Sequence, residues 1–87
     1  MTPFHLTVSS PDGNVFEGDV VMLSVRGIAG ELAVMAGHIP LVTPIVAGTC
    51  KLELADDTDR IAHTDGGVLS VAKDKVTLLS GSFHWLE

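Results

Sequence analysis

The sequence predicts an all-β domain, an antiparallel β-sandwich or flattened barrel of about ten short strands. Apolar residues recur at every second position, as in Phe4, Leu6 and Val8, which is the period of a half-buried strand. Turn-forming residues return after roughly eight to twelve residues, as is typical of sandwiches and barrels. No window of about ten residues has the apolar spacing of a helix. The length of 87 residues suits a single domain covering residues 1–87.

The first half of the chain divides into extended segments separated by turn residues. A first strand is predicted at Phe4–Val8, and the proline and glycine of the next few residues predict a turn. Later strands and breaks follow in the same way. They are an extended piece over 15–18, a strand over 21–25, a break over 26–30, a strand from residue 32 and a turn over 43–48.

The second half repeats the pattern with two hairpins. Cys50, Leu52 and Leu54 alternate with charged residues, and the acidic run over 55–59 predicts a solvated turn. The segment 65–67 is expected to open a final hairpin. Its arms are residues 68–72 and 75–79, and its tip is 73–74.

Composition excludes several classes of function. The formal net charge is −6 with only five Lys and Arg residues, whereas nucleic acid and anionic lipid surfaces both require a basic face. No apolar run approaches the roughly 20 residues of a membrane-spanning helix, so any membrane association is expected to be indirect, through a partner. The single cysteine, Cys50, is interpreted as a small buried apolar residue in a reducing compartment.

The residues that could carry chemistry do not form a recognisable site. The four histidines lie in four different predicted elements, without cysteine or carboxylate at ligand spacing, so no metal site is expected. No nucleophile elbow, phosphate-binding loop or dinucleotide fingerprint is present. The sequence therefore predicts no catalytic residue, no cofactor and no enzymatic activity. The histidines are His5, His38, His63 and His84.

Lys73 keeps one alternative open. It lies at the predicted tip of a hairpin, where lipoyl and biotinyl carrier domains present their modified lysine. However, Ala72 precedes it, a second lysine follows at Lys75, and no half-repeat is visible. An ordinary charged turn fits better, and a small standalone carrier or adaptor domain is the second hypothesis.

The segment from Gly30 to Thr43 is the most informative. Gly30 and Gly37 permit unusual backbone angles and Pro40 fixes one dihedral, so a shaped surface loop is expected. The segment resembles the GEL…GHxPL signature of the epsilon subunit of F-type ATP synthases, although Ala36 stands where the family commonly has proline. The resemblance extends in order over nearly the whole chain. Its other parts are residues 4–11, 15–25, 65–71 and 75–79.

This resemblance implies a non-catalytic rotor subunit in the central stalk of a proton- or sodium-translocating ATP synthase. Such a subunit binds the gamma subunit and the c-ring, peripheral to the cytoplasmic side of the bacterial plasma membrane or its organellar equivalent. The family commonly continues into a two-helix hairpin that this sequence does not contain. Inhibition of ATP hydrolysis and nucleotide binding are therefore not expected of this domain.

The resemblance also implies partner-binding residues. Gly30 and Glu31 are expected to face the c-ring, and His38, Pro40, Leu41 and Thr43 to face gamma. In the alternative interpretation the glycines and proline only shape the loop, and Leu41 belongs to the core.

Overall fold

The computed structural model describes residues 2–73 and 75–86, which form seven strands and no helix. The predicted all-β class is confirmed. No helix in this part of the chain could cross a membrane. The strands are β1 (Phe4–Ser10), β2 (Gly13–Gly27), β3 (Gly30–Val34), β4 (Leu41–Leu54), β5 (Asp59–Val71), β6 (Val76–Ser80) and β7 (Phe83–Trp85).

The described residues contain fewer strands than the expected ten because β2, β4 and β5 are long and continue through predicted breaks. The turn expected over residues 43–48 lies inside β4, and the hairpin start expected over 65–67 lies inside β5. Local irregularities within the long strands occur instead of the predicted breaks. The β2–β4 register shifts twice, and Gly66 adopts a φ of 113° within β5. Such features bend a strand without ending it.

Five of the strands close into a ring. The order β1-β6-β5-β4-β2 returns to its start because β2 also pairs with β1, while β3 extends from β2 and β7 from β5. A ring with an odd number of strands cannot be antiparallel throughout. One parallel pair is therefore required, and it joins β1 to β6, which departs from the wholly antiparallel sheet predicted from the sequence.

The core inside this ring is largely aliphatic, with Phe83 as its aromatic member, and its inward positions follow the predicted alternation. On β2, for example, Leu23 and Val25 point inward while Arg26 is exposed. Burying each such side chain stabilises the fold by about 1.5–3 kcal/mol. The buried apolar residues are Leu6, Val8, Val20, Leu23, Val25, Val34, Ile45, Cys50, Leu52, Ala62, Leu69, Val71, Val76, Leu78 and Phe83.

The acidic run forms the turn between β4 and β5, as expected. Leu54 N donates to the Thr58 carbonyl at 2.8 Å and Asp57 N to the Leu54 carbonyl at 3.1 Å. Asp57 adopts a φ of 68°, a conformation that Asp tolerates better than most residues. Hydrogen bonds from the side chain and then the backbone of Thr58 lower the pKa of Asp56.

A polar cluster stabilises the corner where β5, β6 and β7 meet. The hydroxyls of Thr64 and Ser80 hydrogen-bond at 2.6 Å, and Ser80 donates to the Ser82 carbonyl at 2.7 Å. The Ser82 amide in turn donates to the Asp65 carboxylate at 2.8 Å. These bonds fix the position of β7 against β5.

Cys50 is expected to resist thiol reagents in the folded domain. It is fully buried, and burial raises its pKa from 9.0 to about 12. A rise of this size lowers the thiolate fraction at neutral pH by about a thousandfold. Ellman's reagent at pH 8 should react slowly with the native chain and rapidly in urea. Fast native labelling would show that the thiol is accessible.

Candidate partner-binding surfaces

Gly30 and Glu31 lie at the tip of the β2–β3 hairpin. Gly27 pairs with Gly30 and Arg26 with Glu31, so only residues 28–29 remain for the turn. Gly30 adopts a φ of 128° with open space on the Cβ side, which explains glycine at this position. The Glu31 side chain is exposed and forms no ion pair with a described residue. Its carboxylate is available to a partner.

His38 lies at the other end of β3, after a tight turn. His38 N donates to the Met35 carbonyl at 3.1 Å, and Gly37 supplies the φ of 86° that the turn requires. The ring Nδ1 lies 2.7 Å from the Ile39 carbonyl. Because a carbonyl only accepts, Nδ1 carries the proton and Nε2 stays available. His38 borders a cleft of about 330 Å³ that Lys73 and Lys75 also line.

The remaining predicted residues divide between these two ends. Pro40 is exposed and follows the His38 turn. Leu41 is half-buried and packs against the core, as the structural alternative expected. Thr43 lines a hollow together with Gly30 and Glu31. The structure therefore brings Thr43 to the end of β3 at which Glu31 lies, and not to the His38 end.

Sequence reasoning did not identify an apolar surface on the outside of β4, β5 and β6. Pro44 pairs with Val68, and Val68 with Leu79, so these side chains form one row across three strands. Val42 and Val46 extend the row along β4 and are exposed. We call Val42, Pro44, Val46, Val68 and Leu79 the apolar face. One signal was available, since residues 41–46 are almost continuously apolar, as in strands covered on both sides.

No set of three or more potential metal ligands comes together among residues 2–73 and 75–86.

The Lys73 turn is closed by a hydrogen bond from Ala72 N to the Lys75 carbonyl at 2.8 Å. Asp74, the other residue of the predicted tip, lies outside the described residues.

Together these features define a small, closed β-sandwich domain that presents two loop ends and an apolar face to its surroundings. Residues 3–86 match the family described as ATP synthase, Delta/Epsilon chain, beta-sandwich domain. The chain belongs to this family, and the resemblance seen in the sequence is confirmed.

Curated relatives and solved structures agree with this assignment. The chain is 44% identical over 80 residues to the ATP synthase epsilon chain of Priestia megaterium and 42% identical to that of Halalkalibacterium halodurans. Each match covers 92% of this chain but 59% of the relative, so the chain spans little more than half the length of these relatives.

Two solved structures have the same fold. A chain in the Euglena gracilis mitochondrial ATP synthase structure, which contains OSCP, F1 and the c-ring, matches with a TM-score of 0.92 at 22% identity, covering 99% of this chain and 55% of that one. A chain in the central stalk and c-ring structure of the Tetrahymena thermophila mitochondrial enzyme matches with a TM-score of 0.77 at 11% identity, covering 94% and 66%.

Proposed function

We propose that this domain is a non-catalytic rotor component in the central stalk of a proton- or sodium-translocating F-type ATP synthase. It binds the gamma subunit and the c-ring and so helps to couple ion flow to ATP synthesis. The complex holds it at the cytoplasmic side of the bacterial plasma membrane. The observation that carries this proposal is the family match over residues 3–86, together with relatives named ATP synthase epsilon chain.

The architecture suits a part that transmits torque. The five-stranded ring is hydrogen-bonded around its whole circumference, and its core is filled by close-packed aliphatic side chains. Close-packed interiors have low compressibility and transmit strain. A closed ring therefore resists the shear that an open sheet would permit.

The two ends of β3 give the domain separate contacts for separate partners. Glu31 provides an exposed carboxylate for cationic or amide groups on the c-ring loops. His38 provides a positioned imidazole for gamma, and Pro40 restricts the backbone between His38 and β4. The apolar face supplies the larger area that a stable contact with gamma needs, because such contacts have an apolar centre and a polar rim.

A binding experiment tests the proposal against the carrier hypothesis. The chain should bind purified gamma subunit in calorimetry, and its intact mass from the source cell should carry no lipoyl or biotinyl group. Lys73→Arg should bind gamma normally. Absence of gamma binding together with an acylated Lys73 would favour the carrier hypothesis and refute the rotor assignment.

Glu31→Ala and His38→Ala are expected to weaken docking while leaving the melting temperature nearly unchanged. Glu31 is exposed and His38 is half-buried in a surface turn, and substitutions at the surface usually alter the free energy of unfolding by no more than about 0.5 kcal/mol. The Glu31 effect should appear with the c-ring and fade as salt is added, because exposed charges are screened. The His38 effect should appear with gamma and vary little with salt. Binding is measured to gamma alone and to the assembled rotor.

Two exposed residues that lie away from both ends of β3 provide controls. Asp12→Ala removes a carboxylate from the β1–β2 turn, and Thr49→Ala removes a polar side chain from β4; both should bind normally. Pro40→Gly should weaken gamma binding with a modest loss of stability, because glycine raises the entropy of the unfolded chain. If Glu31→Ala and His38→Ala lower stability and leave binding unchanged, these residues have a structural role only.

A further inference from the structure

Two of the four histidines lie directly opposite each other on the outer face of the sheet. His63 on β5 pairs with His84 on β7, and both side chains are exposed. Directly opposed residues on antiparallel strands project from the same face. The fold therefore places two imidazoles side by side, although the sequence separates them widely.

The hydrogen bonds of the ladder define how closely the two residues approach. Leu86 N donates to the Ile61 carbonyl at 2.9 Å, and Asp65 N to the Ser82 carbonyl at 3.2 Å. Hydrogen-bonded and non-hydrogen-bonded pairs alternate along an antiparallel ladder. The His63–His84 pair lies between these two and is also hydrogen-bonded, so its Cα atoms are about 5.5 Å apart. Two imidazoles at this spacing can reach one ion, since metal–nitrogen bonds measure about 2.0–2.1 Å.

The His84 ring already has a partner on its far nitrogen. Its Nε2 lies 2.7 Å from Ser82 Oγ, which leaves Nδ1 available. Histidines that bind metals usually donate their second N–H to a polar group, which fixes the tautomer and the ring orientation. Ser82 can play this part, because its amide is fixed by Asp65. His63 forms no hydrogen bond through its side chain with a described residue, so its ring is free to turn toward His84.

We propose that His63 and His84 form a binding site for a late first-row divalent cation, with Cu²⁺ bound most tightly. Imidazole suits copper, zinc and nickel, and copper leads the affinity order for such ligands. Water completes the coordination, because the described residues offer no third ligand to the group. Ser82 orients the His84 ring from the second coordination sphere.

The charges around the pair favour a cation. Asp65 lies on the same face of β5, roughly 7 Å from His63 along the strand. Lys51 pairs with Ile61 in the neighbouring strand. Its Nζ lies 3.6 Å from an Asp59 carboxylate oxygen, which offsets its positive charge. The Cys50 thiol does not compete for the ion, because it is buried and its pKa is raised to about 12.

His5 is a second candidate for cation binding, and the experiment must distinguish it from the His63–His84 pair. Its ring lies 3.1 Å from a Glu17 oxygen and 3.5 Å from an Asp19 oxygen, so a cation could replace these contacts. His5→Ala removes this rival and leaves the β5–β7 ladder intact.

Calorimetric titration of the 87-residue chain with Cu²⁺ and Zn²⁺ tests the proposal, with Mg²⁺ as the negative control. Quenching of Trp85 fluorescence by Cu²⁺ gives a second readout from the neighbouring position on β7. We expect one saturable site, with Cu²⁺ tighter than Zn²⁺ and Mg²⁺ without effect. His63→Ala and His84→Ala should each weaken Cu²⁺ binding at least about tenfold, and Ser82→Ala by about tenfold. His5→Ala should bind as the unchanged chain does.

Melting curves without metal check that each variant folds. Saturating Cu²⁺ should raise the melting temperature of the unchanged chain, because a ligand that binds only the folded state stabilises it. The double variant lacking both imidazoles should show no such rise. The proposal is overturned if Cu²⁺ binding survives in folded His63→Ala and His84→Ala, if it is lost in His5→Ala, or if no saturable binding occurs at millimolar cation.

Discussion

Gly67→Ala is expected to abolish folding of the domain or to destabilise it severely. Gly67 lies inside β5, paired with Ile45 on β4 and Ser80 on β6. A Cβ atom at this position would overlap the carbonyl oxygen of Leu79. That atom belongs to the backbone and cannot rotate away, so β5 and β6 would have to separate. We expect a loss of at least about 3 kcal/mol, measured by urea denaturation followed through Trp85 fluorescence.

Gly13→Ala is the matched control for this substitution. Gly13 also has a positive φ, 118°, but open space surrounds its Cβ direction. Alanine there introduces only the backbone strain of about 1–3 kcal/mol. In a domain of this size each kcal/mol lowers the melting temperature by roughly 4–8 °C. If Gly67→Ala costs no more than Gly13→Ala, β6 can move aside and the corner is less rigid than the structure indicates.

Gly67 also illustrates which parts of the fold could be predicted from the sequence. The inward positions of β2 were predictable, because side chains alternate between two faces wherever a strand exists. The final hairpin was expected to open at residues 65–67, but β5 begins at Asp59 and continues through them, because glycine marks a strand end and a bent strand equally well. Whether the strand ends or only bends at Gly67 depends on its pairing with Ile45 on β4 and Ser80 on β6, which the residues around Gly67 do not specify. Strand continuity is a tertiary property, whereas alternation is a local one.

The same distinction applies to the candidate sites. Glycines and a proline around His38 were sufficient to predict a shaped loop, because their backbone preferences are local. The placement of Thr43 beside Glu31 and the opposition of His63 and His84 depend on strand register. Strand register is determined by the packing of the whole ring, so it cannot be predicted from a local sequence motif. The apolar run over residues 41–46 was a local signal for the β4 part of the apolar face, but its continuation onto Val68 and Leu79 depends on strand register.

The apolar face leads to the binding prediction with the largest expected effect. Val68→Asp is expected to weaken binding to the gamma subunit by at least about a hundredfold, which corresponds to about 2.7 kcal/mol. Val68 lies at the centre of the apolar face, between Pro44 and Leu79. A carboxylate at the centre of an apolar interface loses its hydration without gaining a partner, and this penalty is large. Leu79→Asp should have a similar effect, and both are measured by calorimetry with purified gamma.

Ile61→Asp is the control that separates lost binding from lost stability. Ile61 is another β-branched residue on β5, and its exposure of 41% nearly equals the 40% of Val68. It belongs to the β5–β7 ladder and not to the apolar face. Both variants introduce the same charge and the same poor strand former, so their melting temperatures should fall by similar small amounts. Only Val68→Asp should then lose gamma binding. Equal weakening in both variants would mean that overall charge or stability controls the affinity, and gamma would have to dock elsewhere on the domain.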